Sequence, residues 1–358
     1  MSPMFVPGPV DVAPEILAQQ ARPMLPHRSK EFEAIFRHAQ GNARQLFCTQ
    51  YRVFITASSG SGLQEAAVRN FARNSVLSCV NGAFAERWHE VALSNGKEAD
   101  KLEVPWDQPV TPEMVVQALQ HKHYEALTIV HNETSTGLQN PVREIAAAAR
   151  QASPHTLICV DMVSSLGGVK VEMDAWGLDM VLTSSQKCLA LPPGLGLAAV
   201  SDRALDYARQ VPHRGWYFDL VLMEKHRLKD STPATPAMSL IYALDYQLDR
   251  ILAGGLEARF AHHSAMAQRV QSWATSRGLP IYAPEGYRSQ TVTTIVNQVG
   301  IDFPALDRFL LERDMRIANG YGALKDKTFR IAHMGEIQMD DIETLLAALD
   351  EYLASLDK

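Results

Sequence analysis

The stretch Ser184-Ser185-Gln186-Lys187-Cys188-Leu189-Ala190-Leu191-Pro192-Pro193-Gly194 decides how this chain is read. A strand-like run, Leu178-Asp179-Met180-Val181-Leu182-Thr183, enters it, and a second apolar run, Leu195-Gly196-Leu197-Ala198-Ala199-Val200, leaves it. Between them one lysine is set among small residues, an amide and a Pro-Pro-Gly turn. A lysine held against apolar walls has a lowered pKa, and its neutral amine can form a Schiff base with a carbonyl compound. A plain loop lysine between two strands fits the local composition equally well, so the neighbouring stretches must discriminate.

Upstream, other strand candidates also end in polar residues. Leu157-Ile158-Cys159-Val160 closes on Asp161, and Met162-Val163-Ser164-Ser165-Leu166-Gly167-Gly168 follows. Asp161 is either a turn aspartate or a carboxylate for a ring nitrogen or a metal. No second carboxylate or histidine stands at ligand spacing, which disfavours the metal. The run over 126–130 ends in His131-Asn132-Glu133-Thr134-Ser135-Thr136-Gly137. Such polar groups at the end of a buried strand are costly unless they bind a ligand or one another.

Further out, the run over 75–80 leads to Asn81-Gly82-Ala83-Phe84-Ala85-Glu86-Arg87-Trp88, in which Phe84 is either core or a flat platform for a stacked ring. Val53-Phe54-Ile55-Thr56 passes into Ala57-Ser58-Ser59-Gly60-Ser61-Gly62 and a helical pattern over 63–73. Strand, small-residue turn and helix together point backbone N–H groups and a helix dipole at an anion. A flexible turn with a serine N-cap is the plainer alternative, and the missing Gly-Lys-Ser/Thr excludes a Walker A loop. Pro7-Gly8-Pro9 is incompatible with helix interior, so residues 1–20 are expected to form an extended arm lying across another part of the molecule. Arg28 alone reads as a solvated charge ahead of a helix over 32–46.

Downstream of Val200 the chain becomes helical and more charged. Gly215-Trp216-Tyr217-Phe218-Asp219 is expected in the core or at a subunit contact, and Ser231-Thr232-Pro233-Ala234-Thr235-Pro236 is a rigid extended segment. Helical patterns over 238–252 and 256–277 lead to strand candidates over 292–296 and 328–332, with Arg330 in the second. Helices over 303–313 and 340–356 cover them. The pairs His121/His123 and His262/His263 are expected on solvated surfaces. The strand–helix alternation predicts an α/β architecture: a large domain over 21–255 with a mainly parallel mixed sheet, and a smaller α+β domain over 256–358.

The gross numbers agree with an enzyme of this class. The chain has 358 residues, 46% hydrophobic and 21% charged, with a net charge of −6. It is long enough for two domains, and nothing in the charge points to nucleic acid. The 4 cysteines lie far apart without a CxxC pair, which suits a reducing compartment. No apolar run reaches the roughly 18 residues of a membrane helix, the first residues do not read as a signal peptide, and the last are not a peroxisomal address. A cytoplasmic protein is expected.

A lysine amine, a strand-end aspartate, an anion turn, a ring platform and a late arginine are what a cofactor with an aldehyde, a ring nitrogen and a phosphate would use. That description is pyridoxal 5′-phosphate. Arg330 would clamp a substrate carboxylate.

With these motifs assembled, the chain resembles the class V aminotransferases of fold type I, in particular the alanine–glyoxylate and serine–glyoxylate (serine–pyruvate) branch. The resemblance runs almost end to end. It is carried by Pro7-Gly8-Pro9, Ser59-Gly60-Ser61, Asn81-Gly82-Ala83-Phe84, Glu133-Thr134-Ser135-Thr136-Gly137 and Val160-Asp161-Met162-Val163-Ser164-Ser165-Leu166-Gly167-Gly168. It continues through Ser185-Gln186-Lys187, Pro192-Pro193-Gly194, Thr235-Pro236 and Phe329-Arg330-Ile331. The resemblance implies that Lys187 forms the Schiff base and shuttles the proton, while Asp161 pairs with the pyridine nitrogen. Val163 would pack under the ring, Phe84 over it, and Thr134 beside the ring hydroxyl. Ser59, Gly60, Ser61 and Gln186 would hold the phosphate. Thr232 and Thr235 would reach the neighbouring subunit's cofactor, which makes the expected unit a homodimer with shared sites. Gly8 and Arg330 would bind the substrate carboxylate, with Arg28 a further candidate at the donor end. The implied activity is ping-pong amino transfer from alanine or serine to glyoxylate or pyruvate.

The departures are small: Ser184 where a glycine is common, Ala85 and Ala332 in place of glycines. His27-Arg28-Ser29 is also similar to the 2-aminoethylphosphonate branch, so a transaminase for that compound or for phosphoserine is a rival. It would want extra cations, for which Arg28 and Arg214 are the candidates. Cysteine desulfurase fails because no cysteine follows Cys188. A nicotinamide dehydrogenase fails because Gly194-X-Gly196-X-X-Ala199 opens a strand instead of a helix. A non-catalytic scaffold is disfavoured by intact Lys187, Asp161 and Arg330.

Overall fold

Residues 3–356 are described by a computed structural model; Met1, Ser2, Asp357 and Lys358, the outermost residues of the expected arm and small domain, lie outside them. In chain order the strands are β1 (Met4–Phe5), β2 (Arg52–Ala57), β3 (Ser75–Val80), β4 (Glu98–Glu103), β5 (Ala126–Val130), β6 (Asn132–Glu133), β7 (Leu138–Gln139), β8 (Leu157–Asp161), β9 (Met180–Ser184), β10 (Leu195–Val200), β11 (Val292–Val296), β12 (Arg316–Asn319) and β13 (Thr328–Ala332).

The larger sheet has 7 strands in the order β2-β10-β9-β8-β5-β3-β4. Its pairings are parallel from β9 through β4, and β10 runs antiparallel to both its neighbours. The central strands β3, β5, β8, β9 and β10 are buried along their whole length, as expected for strands covered on both faces. Alternate residues feed two cores. Ile55, Leu77, Ile158, Val160 and Val181 meet the helices Lys30–Leu46, Val142–Ala152 and Met238–Gly254. Phe54, Val76, Leu157, Cys159 and Leu182 meet the helices Gly60–Phe71, Ala83–Ser94 and Asp202–Ala208. This period of two fixes which strand residues face which helix layer.

The smaller sheet, β1-β12-β13-β11, is 4-stranded. Its core gathers Phe5, Met266, Trp273, Ile295, Phe329 and Leu345. The N-terminal arm joins it: Met4 and Phe5 pair in parallel with Arg316 and Ile317. The chain therefore starts in the sheet that it completes last.

Three details differ from the sequence reading. β4, Glu-Ala-Asp-Lys-Leu-Glu, is an edge strand without an apolar run, and its charges are the kind that keep an edge from pairing further. Trp216 and Tyr217 are 60% and 48% exposed within one chain, which excludes the core and leaves the expected subunit contact. His263 is fully buried against the backbone of its own helix, with Nδ1 2.8 Å from the Arg259 carbonyl oxygen, and is not on a solvated face.

Candidate active site

The carboxyl ends of the parallel strands open onto one cleft of about 170 Å³, the position where open α/β sheets bind ligands. Lys187 follows β9 and its side chain is buried. Its Nζ donates to the Pro7 carbonyl at 2.6 Å. Burial lowers its pKa from 10.5 to about 8, with Asp161 pulling the other way. The amine thus reaches its neutral, nucleophilic form at a far lower pH than a solvated lysine does. The arm is pressed against it: a Cβ added at Gly8 would meet Lys187 Cγ at 2.9 Å. With its φ of +95° as well, Gly8 allows the arm and the lysine stem to share this space.

Asp161 is the last residue of β8, between Val130 of β5 and Leu182 of β9. Its Oδ1 accepts the Val163 N–H at 2.8 Å and its Oδ2 accepts Gln64 Nε2 at 2.7 Å. Burial pushes the carboxyl above its ordinary value; the Val163 N–H, Gln64, Lys187 and Arg87 oppose that.

On one side of the cleft lies the N-terminus of the helix Gly60–Phe71. Ser59 is its N-cap and accepts the Gly62 N–H at 3.4 Å. Gly60 is packed so tightly on Val163 that a Cβ would lie 2.5 Å from Val163 Cγ2. Phe84 opens the helix Ala83–Ser94 and its ring centroid lies 5.6 Å from Lys187 Nζ.

The polar run after β5 bonds mostly within itself and to its neighbours, and leaves the buried Asn132 Oδ1 without a protein partner. Glu133 is fully buried and accepts the N–H groups of Phe84 and Ala85, at 3.1 and 3.0 Å, and the Ser135 hydroxyl at 2.6 Å. It thereby supplies the carboxylate at a helix start that Gly82 lacks a side chain to supply. Thr134 and Asn132 both donate to Ser164 Oγ, at 2.9 and 2.7 Å.

Arg330 enters from β13 of the other sheet. It is 7% exposed and donates through Nε to the Asn319 carbonyl at 2.9 Å and through Nη1 to the Thr134 carbonyl at 3.2 Å. Burial lowers its pKa to about 10, so it stays cationic at neutral pH.

Of the residues expected from sequence, Ser59, Gly60, Ser61, Phe84, Thr134, Asp161, Val163, Gln186 and Lys187 line this cleft together, with Gly8 and Arg330 joined to them by contact. Thr232 and Thr235 do not reach it within one chain. They line a separate surface pocket with Trp216 and Tyr217. Arg28 is exposed, stands outside the cleft, and neighbours His226 electrostatically. Gln64, Arg87 and Tyr321 are site residues the sequence reading missed. Gln64 follows Gly60 at i+4, and Arg87 follows Phe84 at i+3, spacings that share a helix face and carry the only sequence signal.

This fold and this site define an amino-group transferase built on the fold type I pyridoxal-phosphate-dependent transferase fold. Residues 14–348 match the family described as aminotransferase class-V. The chain belongs to the class V aminotransferase family and is a transaminase. It is 34% identical, over 99% of its length and 93% of the relative's, to an uncharacterised aminotransferase of Methanocaldococcus jannaschii. It is 33% identical to the L-aspartate–glyoxylate aminotransferase of Paracoccus denitrificans, covering 94% of this chain and 87% of that one. Among solved structures it superposes on the alanine–glyoxylate aminotransferase from Nostoc sp. with a TM-score of 0.93 at 28% identity, over 99% of this chain and 96% of that one.

Proposed function

We propose that this chain transfers an amino group from a small amino acid, alanine or serine, to glyoxylate or pyruvate by a ping-pong route, with pyridoxal 5′-phosphate held in the Lys187 cleft. One observation carries the reading: a buried lysine with a lowered pKa shares a cleft with a strand-end carboxylate, and a buried guanidinium is bonded to the Thr134 carbonyl at its edge. Glyoxylate as acceptor is supported by the names of the relatives from Paracoccus and Nostoc, which have that acceptor in common and differ in donor.

The residues present fit the cofactor. Ser184 has a buried hydroxyl without a protein partner, and it lines the cleft. The helix start at Ser59–Ser61 offers unpaired N–H groups for a phosphate. When bound, the group carries the amino group and withdraws electrons from the substrate α-carbon. Lys187 Nζ would take the proton from that carbon and deliver it two atoms away, to the carbon on the other side of the intervening nitrogen. Asp161 would hold the ring nitrogen in its protonated form. Ser59, Gly60, Ser61 and Gln186 would hold the phosphate, Phe84 and Val163 would pack against the ring, and Thr134 would serve its hydroxyl. Arg330 orients the substrate carboxylate, and Gly8 leaves it room.

We further take the chain to divide at residues 20 and 255 into arm, large domain and small domain. We take the working unit to be a homodimer in the cytoplasm. Thr232, Thr235 and Arg28 all lie outside their own chain's cleft, Thr232 and Thr235 together in a surface pocket, which supports a role in the partner's site. The cysteines are all unpaired, and no helix among the described residues is long and apolar enough to cross a membrane. The phosphoserine and 2-aminoethylphosphonate alternative has less support. Of its two candidate cations, Arg214 is tied to Asp219 and to the Val211 carbonyl, and Arg28 lies outside the cleft.

The test is the visible spectrum of the holoenzyme during separate additions of alanine, serine and 2-aminoethylphosphonate. Bleaching by alanine or serine that glyoxylate reverses is expected. Bleaching by the phosphonate alone would move the protein to the rival reading. Lys187→Ala should abolish multiple turnover, and Arg330→Ala should raise the KM for carboxylate donors at least tenfold, as loss of a charge-assisted pair does.

A further inference from the structure

Arg87 has no part in the chemistry described above. It lies one helical turn beyond Phe84 and lines the same cleft as Lys187. Its guanidinium carbon sits 5.0 Å from the centroid of the Phe84 ring. It donates to the Tyr321 hydroxyl at 3.1 Å and, at the limit of a hydrogen bond, to Ser61 Oγ at 3.4 Å. Arg330 stands across the cleft. The hydrogen bonds of both guanidiniums end on hydroxyl or carbonyl oxygens, and neither is paired with a carboxylate among the described residues.

Tyr321 joins the two. It comes from the Gly320-Tyr321-Gly322 loop after β12 and stacks on Phe84 with centroids 5.3 Å apart and planes 15° from parallel. The Arg330 guanidinium carbon lies 5.6 Å from its ring centroid, while its hydroxyl accepts from Arg87. One tyrosine ring therefore touches both cations, Arg87 lining the cleft and Arg330 joined to its edge through the Thr134 carbonyl. A single α-carboxylate needs one of them. The cofactor's phosphate has the helix start at Ser59–Ser61. The second guanidinium, half-buried and without a carboxylate, is matched to a second anionic group on the substrate.

We propose that Arg87 is a specificity-determining residue that binds the side-chain carboxylate of a dicarboxylic amino donor of aspartate size, whose α-carboxylate lies on Arg330, with Tyr321 fixing the distance between the two. The inference rests on the amino-transfer reading and sets a dicarboxylic donor ahead of the alanine or serine named there. Aspartate has two carboxylates on neighbouring carbons; alanine and serine have one, and leave Arg87 facing a hydroxyl or water.

The experiment compares wild type, Arg87→Gln and Arg87→Lys holoenzymes with glyoxylate as acceptor. The first reading is the ratio of kcat/KM for aspartate over alanine. The second is an equilibrium titration with succinate and with propionate, which carry two carboxylates and one and cannot donate an amine. Wild type is expected to favour aspartate and to bind succinate more tightly than propionate. Arg87→Gln should lower the aspartate-to-alanine ratio by roughly tenfold to a hundredfold and remove the succinate advantage, the cost of deleting one charge-assisted pair. Arg87→Lys should restore part of both, since it keeps the charge and loses the fork. Wild type that uses alanine and refuses aspartate overturns the proposal. So does an Arg87→Gln protein that loses both donors equally and sheds its cofactor on dialysis, which would put Arg87 on the phosphate. If wild type moves an amino group from none of aspartate, alanine and serine, the amino-transfer reading fails, and the succinate titration still decides the Arg87 site.

Discussion

Replacing Lys187 by methionine should stabilise the cofactor-free protein at neutral pH while ending its chemistry. Burial lowers the Lys187 pKa from 10.5 to about 8. At about 1.4 kcal/mol per pKa unit, forcing the ammonium into this site at pH 7 costs the fold roughly 3 kcal/mol. Methionine has a similar stem and no charge. Against the gain stands the Pro7 carbonyl, which loses its donor at 2.6 Å, a loss of about 1 kcal/mol. The net expectation is a gain on the order of 2 kcal/mol. The sign with pH follows from the folded pKa lying below the unfolded one. Below pH 8 both states carry the proton and the penalty is complete. Between about 8 and 10.5 the unfolded chain holds more protons than the folded one, so wild-type stability rises with pH and the advantage of the variant shrinks. Above that range both states are neutral and the electrostatic part is gone. Urea unfolding of both apoproteins across pH 7 to 10 reads the difference directly, because other titrating groups are common to the two. A variant less stable than wild type at pH 7, or a gap that does not shrink with rising pH, would refute the assignment of a desolvated amine at this position.

Other outcomes follow from the same site. Uptake of pyridoxal phosphate by the apoprotein requires a neutral Lys187, so its rate should rise with pH through a midpoint near pH 8 and level off above it, measured by stopped-flow absorbance; a rate that falls over this range contradicts it. Glu133→Gln puts an amide donor opposite N–H groups that now have a carboxylate, and should lower stability by about 2–3 kcal/mol and loosen Phe84; an unchanged urea midpoint would remove Glu133 from the helix start. Gly82→Ala places a Cβ 2.2 Å from Glu133 Cγ, so thermal unfolding should drop by several degrees, and a Tm within about 1 °C of wild type would show that Glu133 moves freely.

The fold was legible where burial writes a pattern. β10, β11 and β13 read directly as apolar or β-branched runs, since strands buried on both faces need such residues throughout. β4 carries charges because it lies at an edge, so the same rule hides it. The arm's two-residue strand has no periodicity to read; only its partner Arg316–Ile317, over three hundred residues later, makes it a strand. At the site, Lys187, Asp161 and the Ser59–Ser61 turn stand out locally, because polar groups after buried strands have few inexpensive explanations. Gln64 looks like any polar helix residue until the fold brings Asp161, 97 positions away, within 2.7 Å. Tyr321 and Arg87 acquire a shared role only when a loop of the smaller sheet meets a helix of the larger one.

That meeting explains how the cleft keeps its geometry. The amine of Lys187 belongs to the larger sheet, yet its hydrogen-bond acceptor is the Pro7 carbonyl, on an arm anchored through β1 to the smaller sheet. The arm is tied again where the Val10 N–H donates to the Gln186 carbonyl at 3.1 Å. Arg330 reverses the arrangement: it belongs to the smaller sheet and donates to the Thr134 carbonyl, in the polar run that follows β5 of the larger one. Each of the two cations is therefore held by a backbone group carried by the opposite sheet's side of the molecule. Backbone carbonyls move only with their elements, unlike long side chains, which lose rotamer entropy when fixed. The separation between the group that moves the proton and the group that holds the carboxylate is thus set by how the two sheets join, and a mutation that loosens that junction should cost substrate positioning before it costs cofactor binding.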